Sequence, residues 1–421
     1  QRRFEAVPLF QATALLLQER VPKTIAFHSH ATGQINDTRA APDDQGASLR
    51  VFDSPATPVP EVQLLSNGRY HVMVTNAGGG YSRWKDLAVT RWREDATRDH
   101  WGVFCYLRDV AAGDIWSTAY QPTLRQPDSY EAIFSEGRVE FRRRDHEIET
   151  YTEIVVSPED DIELRRVRLS NHSRSRRVLE ITSYAEVVLA SPAADALHPA
   201  FGNLFAQTEL LHPQPAILCT RRPRSRDEQP PWLFHLMVAR GVNSAAAGFE
   251  TDRMRFIGRC RTTASPRALD QDAALSGSAG SVLDPIVAIR HRLVLEPDQS
   301  VTVDLVFGVG DSREAALHLV AKYQDQRLAD RVFDLAWTHS QVVLRQLDAS
   351  QADIQLYGRL AGSILYTNAS LRAEASIVGQ NRRGQSGLWG YAVSGDVPIV
   401  LLRIGDAANI ELARQLVQAH A

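Results

Sequence analysis

The amino-acid sequence predicts a mainly β protein with α-helices gathered toward its C-terminal end: a large β-sandwich, a helical linker, and the start of a helical domain. Three observations carry this reading. Apolar and polar residues alternate from about 61 to 310, which is the period of half-buried antiparallel strand. No helix-length segment separates these strands, which disfavours a parallel α/β sheet. After Gly310 the apolar spacing lengthens to that of a helix.

Composition narrows the class. The chain has 421 residues, 44% of them hydrophobic, with 47 Lys+Arg against 50 Asp+Glu and a formal net charge of -3. That apolar content is too high for disorder, and the missing basic excess argues against a nucleic-acid partner. At roughly 100–200 residues per domain, two or three domains are expected. Cys105, Cys219 and Cys260 are isolated, without the close pairs of a zinc site or disulfide framework, so a reducing compartment is the simplest expectation. No apolar run approaches the ~20 residues that cross a bilayer, and no signal peptide opens the chain, so this stretch is expected to be soluble. It begins at Gln1 and closes on Gln418-Ala419-His420-Ala421 inside a helical pattern; a piece of a longer protein is the expectation.

The elements follow in order. Residues 1–60 read as an N-terminal helix and extended linker: Leu9 to Arg20 is amphipathic, Pro22 stops it, and 28–60 is rich in Asp, Gly, Ala, Thr and Pro. Residues 61–310 hold the sandwich, with strands expected at 71–75, 139–141, 162–169, 178–184, 217–219, 232–238, 286–289 and 301–307. Asn171-His172-Ser173 supplies turn chemistry, so 162–189 is expected to be a hairpin. Residues 311–375 read as a helical linker, opened by a capping box of Asp311 and Glu314, with two helices to about 348 and a third over 352–372. Residues 376–421 read as the beginning of another helical domain, a Gly-rich loop at 379–396 leading to a helix at 407–420.

Several motifs invite chemistry and have simpler explanations. Gly78-Gly79-Gly80 lacks the Gly-Lys-Ser/Thr of a phosphate loop and reads as a tight turn. Trp84, Trp92, Trp101 and Trp116 could stack sugars, but filling the sandwich core explains them better. His28 and His30 have no partners at metal-ligand spacing, so no metal and no organic cofactor is expected. Glu159-Asp160-Asp161 reads as a solvated turn, and Arg142-Arg143-Arg144 with Arg221, Arg222, Arg224 and Arg226 as exposed charge. The stretch Gln380 to Ile399 differs: it concentrates Arg383, Gln385, Trp389 and Asp396 among glycines, the make-up of a polar pocket with an aromatic floor.

These residues bring in a resemblance. Leu64 to Trp84, Asp86 to Asp95, Leu107-Arg108-Asp109, Trp116-Ser117 and Ser394-Gly395-Asp396 with Pro398-Ile399 resemble the phosphorylase-like region of bacterial cyclic β-1,2-glucan synthetases and, more loosely, cellobiose and chitobiose phosphorylases of glycoside hydrolase family 94. The resemblance implies a galactose-mutarotase-like β-supersandwich, a helical linker and an (α/α)6 barrel, of which 376–421 is the start. It implies a glycosyltransferase of the glycoside phosphorylase type, acting on β-1,2-linked glucose oligosaccharides with inversion. Inorganic phosphate is the co-substrate and replaces the second carboxylate of an inverting hydrolase. Asp396 matches the acid that holds sugar hydroxyls, with Arg383, Gln385 and Trp389 as neighbouring substrate contacts. Ala392-Val393 stands where relatives carry Gly-Ile. Tyr81, Arg91 and Arg93 are candidates for substrate or interface contacts, and a homodimer is a candidate assembly.

The family's general-acid motif, Gly-Asp-Trp-Asn-Asp-Gly, does not occur in residues 1–421, so no catalytic residue is assigned and the acid is expected beyond Ala421. The chain alone is then expected to be inactive. The resemblance places the parent at the cytoplasmic face of the bacterial inner membrane, with membrane contact only through upstream parts. The alternative is a non-catalytic carbohydrate-binding or scaffold module.

Overall fold

The computed structural model describes residues 49–420 apart from 96, 213, 224, 242–245, 367, 369 and 370. The helix expected at 9–20, the His28/His30 pair and most of the extended segment ahead of residue 60 lie outside the described residues. The chain divides into two compact units, one of which is Leu49–Val343 and the other of which includes Leu344 onward.

In the first unit, strands numbered in chain order form two antiparallel sheets of nine. One sheet runs β1 (Arg50–Phe52), β8 (Ser129–Ser135), β9 (Arg138–Asp145), β10 (Ile148–Val156), β11 (Ile162–Asn171), β18 (Ser300–Gly310), β15 (Trp232–Arg240), β14 (Ala216–Arg221), β13 (Ala206–Leu211). The other runs β16 (Gly248–Asp252), β17 (Pro285–Leu295), β12 (Arg177–Ala190), β5 (Leu87–Thr90), β4 (Gly80–Trp84), β3 (Tyr70–Thr75), β2 (Val62–Ser66). In that sheet β6 (Phe104–Asp109) also pairs with β12 and carries β7 (Ile115–Ser117) on its far side. β1 lies ahead of residue 61 and still belongs to the sandwich, because Arg50 pairs with Phe134 and its guanidinium donates to the Val62 carbonyl at 2.7 Å.

The expected strands are present, but β11 and β12 do not form a hairpin. β11 pairs with β10 and β18, whereas β12 pairs with β17, β6 and β5. The chain crosses from one sheet to the other at 172–176, and Val167 and Leu169 share the core with Leu179 and Ile181. Alternation with a short turn fits both arrangements, since each strand needs only one face inside. Asn171 fixes the crossing: its Nδ2 donates to the carbonyls of Ser175, Leu295 and Glu296, and its Oδ1 accepts from the Ser173 amide.

Alternation also corrects the arginine run. Arg143 is 1% exposed, because the register that puts Val139 and Phe141 inside also puts it there. Its Nε and Nη2 hold Asp145 at 2.6 and 2.9 Å, and Nη1 reaches the Ala119 carbonyl at 2.8 Å, so the buried charge is fully paired. Arg142 and Arg144 are exposed as expected. Of the four tryptophans, Trp84 and Trp116 are in the core, while Trp92 and Trp101 are half-buried.

Helices among the described residues are α1 (Pro192–Leu197), α2 (Pro199–Asn203), α3 (Arg253–Ile257), α4 (Arg313–Gln324), α5 (Gln326–Leu347), α6 (Gln351–Leu365), α7 (Ala375–Val378) and α8 (Glu411–His420). α4 and the first part of α5 lay Ala316, Val320, Tyr323, Val332 and Phe333 over Leu164, Phe234, Leu236 and Val306, on the outer face of the first sheet. β15 and β18 are therefore covered on both faces, which explains their near-continuous apolar runs. The N-cap of α4 is Ser312, whose side chain accepts from the Ala315 amide; Asp311 stands one residue too early and faces Lys85 instead.

Glu159-Asp160-Asp161 is not a solvated turn. Asp161 accepts from Trp84 Nε1 and Arg69 Nε at 2.7 and 2.8 Å, Asp160 takes Lys322 Nζ at 2.6 Å and the Tyr323 hydroxyl, and Glu159 pairs with Arg331. Asp160 and Glu159 join the sandwich to α4 and α5 and Asp161 joins its two sheets, through partners too distant in sequence to be foreseen.

In the second unit, α6 starts at a capping box between Ser350 and Asp353 and ends at Leu365, short of the expected 372. The helix expected at 407–420 is a 3-10 turn over Ala407–Ile410 followed by α8. Tyr357 donates to Gln418 at 2.8 Å, and Gln418 donates to the Leu347 carbonyl at 3.1 Å, tying α8 to α6. No described helix is long and apolar enough to cross a membrane.

Candidate functional site

The polar loop of the second unit folds back on itself. Gln385–Tyr391 is a 3-10 helix, and Ala392 leaves it in the left-handed region (φ 58°). Gly395 (φ +75°) completes the reversal: a Cβ there would lie 2.9 Å from Leu388 Cδ1 and 3.1 Å from Gln385 Cγ, so this approach needs glycine. Asp396 is thereby placed beside Gln385, whose Nε2 donates to Asp396 Oδ1 at 2.7 Å and to the Ser394 carbonyl at 2.8 Å. Trp389 Nε1 reaches the same carbonyl at 3.3 Å, and its ring is 65% exposed.

Gln385, Trp389 and Asp396 thus form one cluster. Arg383 stands at its edge, with its amide bonded to Asn381 Oδ1 at 3.0 Å and its side chain against Gly387. An exposed carboxylate held by an amide, next to an open indole face, has the chemistry of a sugar contact: the carboxylate accepts hydroxyl protons and the ring meets the C–H face.

The first-unit candidates are in a different environment. Arg91 is 7% exposed. Its guanidinium holds Glu186 at 2.9 Å, Asp195 at 3.2 Å, Asn203 at 2.7 Å and Asp284 at 3.4 Å. Arg93 adds the Asp195 carboxylate at 3.1 Å and its carbonyl at 2.9 Å. Arg253 holds Glu186 at 2.6 Å, and the Tyr184 hydroxyl donates to the same carboxylate at 2.8 Å. Burial pushes the Tyr184 hydroxyl well above its ordinary range, with Glu186 adding to it. Asp284 is raised, first by burial and then by Glu186. Three arginines and three carboxylates so lock β5, β12 and the α1–α2 turn together. Tyr81 packs edge-on against Trp92 at 5.4 Å, and burial raises its hydroxyl.

Sequence reading missed the partners in this network. Glu186 carried the available signal, a charge inside the apolar run from Tyr184 to Leu189, where only a paired carboxylate can be accommodated. Among the described residues no group of three His, Cys, Asp or Glu could hold a metal ion. Cys105 and Cys219 are buried thiols held protonated by burial, and Cys260 is exposed.

Comparison with known proteins agrees with this architecture. The chain is 34% identical over 416 residues to "Cyclic beta-(1,2)-glucan synthase NdvB" of Rhizobium meliloti (strain 1021), covering 99% of this chain and 15% of that protein. It is 26% identical to an N,N'-diacetylchitobiose phosphorylase of Vibrio furnissii over 67% of this chain and 35% of the relative, and 25% identical to a solabiose phosphorylase of Paenibacillus borealis over 66% and 36%. The chain therefore spans a minor part of the length of each of these relatives. The family model "Glycosyl hydrolase 94, supersandwich domain" matches residues 46–326, the two sheets together with α4, and by that match the chain belongs to the glycosyl hydrolase 94 family.

Proposed function

We propose that this chain is the front part of a phosphorylase-like region in a cyclic β-1,2-glucan synthase, a glycosyltransferase that processes β-1,2-linked glucose chains with inorganic phosphate as co-substrate and contributes to cyclic glucan synthesis and chain-length control. The observation that carries this reading is the identity of 34% along 99% of the chain to such a synthase. Residues 376–421 are read as the entrance to an (α/α)6 barrel. Asp396 is assigned to the hydroxyls of the glucosyl unit at the cleaved bond, oriented by Gln385, with Trp389 as the stacking face and Arg383 as a further polar contact.

In this reading phosphate attacks the anomeric carbon while an acid from outside residues 1–421 protonates the departing oxygen, with inversion. The 421 residues alone are then inactive, and the parent works at the cytoplasmic face of the inner membrane. The encoded protein that contains this chain should release glucose 1-phosphate from β-1,2-glucooligosaccharides and phosphate. Asp396→Asn should lower kcat/KM by at least about a hundredfold, the loss of a charge-assisted contact to the reacting sugar. Unchanged phosphorolysis in that variant would remove Asp396 from the site, and absence of phosphorolysis in the parent would overturn the reaction.

A further inference from the structure

Five connections of the first unit enclose a cavity of about 500 Å³, within the ~300–1,000 Å³ typical of small-molecule sites. Its walls include Asn76 from the β3–β4 turn, Asp99 and His100 from the β5–β6 connection, Tyr120 and Gln121 after β7, and Thr263 after α3. Neither the polar loop at 383–396 nor the Arg91 network lines it.

The walls are built rather than incidental. Asn76 Oδ1 accepts from the Glu61 amide at 3.1 Å and its Nδ2 donates to the Pro55 carbonyl at 3.3 Å, fixing one side. Gln121 Nε2 donates to the Arg98 carbonyl at 2.6 Å, tying the chain after β7 to the β5–β6 connection. The Thr75 hydroxyl donates to Asp99, which presses on Gly79 so closely that a Cβ there would lie 2.5 Å from its Oδ1. A pocket held in shape from several directions loses little freedom when a ligand enters.

The lining also describes its ligand. His100 packs beside Trp101 at 4.9 Å, and its Nδ1 is buried without a hydrogen-bond partner among the described residues. Buried polar atoms of this kind are normally satisfied, and His100 is the lining residue that carries one. Burial lowers the His100 pKa, which favours the neutral ring, and Arg98 and Asp99 offset each other in charge. Such a lining selects neither an anion nor a cation. Tyr120 and several prolines supply apolar wall, suited to a ring's C–H face.

We propose that this cavity is a binding site for a neutral mono- or disaccharide, with His100, Asp99 and Gln121 meeting its hydroxyls and Tyr120 its apolar face. The proposal stands apart from the phosphorolysis reading, since it concerns binding and needs no acid, phosphate or barrel.

Titration of the 421-residue chain with sophorose, a β-1,2-linked glucose disaccharide, followed by saturation-transfer NMR and calorimetry, tests it. Sophorose should bind, and glucose 1-phosphate should bind more weakly. Thr263→Trp and Thr97→Trp plug the cavity from two different walls, and each should weaken sophorose by about tenfold or more. His100→Ala should weaken it as well. The cooperative thermal transition of each variant confirms its fold, and either plug alone suffices if the other fails to fold. No sophorose binding, binding indifferent to both plugs, or preference for glucose 1-phosphate would each overturn the proposal.

Discussion

The two units use their polar residues in opposite ways. In Leu49–Val343 charges singled out from sequence are consumed by the fold: Arg91, Arg93 and Arg143 are each bound by carboxylates at hydrogen-bond distance. In the unit that includes Leu344 onward, Trp389 and Tyr391 are 65% and 75% exposed, and Asp396 is held by one amide at the surface. An arginine among aromatics therefore says little about function until its partners are known. A carboxylate that the fold positions without neutralising is the better candidate.

The sharpest test of that contrast is Arg91→Ala. It would leave Glu186, Asp195 and Asp284 facing one another with only Arg93 and Arg253 to compensate, at about 3–5 kcal/mol, read as a lower urea midpoint. A small loss would mean that the network is dispensable and Arg91 is free for other work. Gly80→Ala should follow at roughly 1–3 kcal/mol, because a Cβ there would lie 1.9 Å from the Met73 carbonyl oxygen at φ +148°. Asp160→Ala should cost about 1–2 kcal/mol, through release of Lys322 and Tyr323 and loosening of α4.

Acid should act on the same unit. Burial lowers His235 from 6.5 to about 3, where it bonds Ser183 at 2.7 Å and stacks on Phe307 at 3.9 Å. Between these values the unfolded chain takes up a proton that the folded chain refuses, so stability falls as pH drops from 6.5 toward 3. His235→Gln should flatten that slope in urea melts taken across the window; an unchanged slope would assign the acid sensitivity to other groups.

Gln385→Ala should have the smallest effect on stability, within about 0.5 kcal/mol, while lowering the proposed phosphorolysis through a misplaced Asp396. A stability loss as large as that of Arg91→Ala would erase the distinction between the units.

The period of two located the strands, and the change at Gly310 located α4 and α5, because burial on one face leaves its spacing in the residues. Pairing partners left no such mark. The same alternation serves a hairpin and two strands facing each other across a core, so β11 and β12 were legible as strands and not as members of opposite sheets. Asp160 and Asp161 look like turn residues locally, and only Lys322, Tyr323 and Trp84, brought in by tertiary packing, give them work. The cluster of Gln385, Trp389 and Asp396 was legible because it is local, closed by one glycine within a dozen residues. The cavity beside His100 was not, since five separate connections enclose it.

The crossing at Asn171 has a consequence for synthesis. β11 and β12 emerge together, yet Ile162 must await Gly308 and Arg177 must await Leu295 before the middle of each sheet is paired. Until β17 and β18 have been made, β12 and β11 respectively have no permanent neighbour on one edge, and open edges of that kind recruit other chains. Expression of pieces that stop short of β18 should therefore yield aggregates, and translation speed across 172–310 becomes a property on which the yield of folded protein depends.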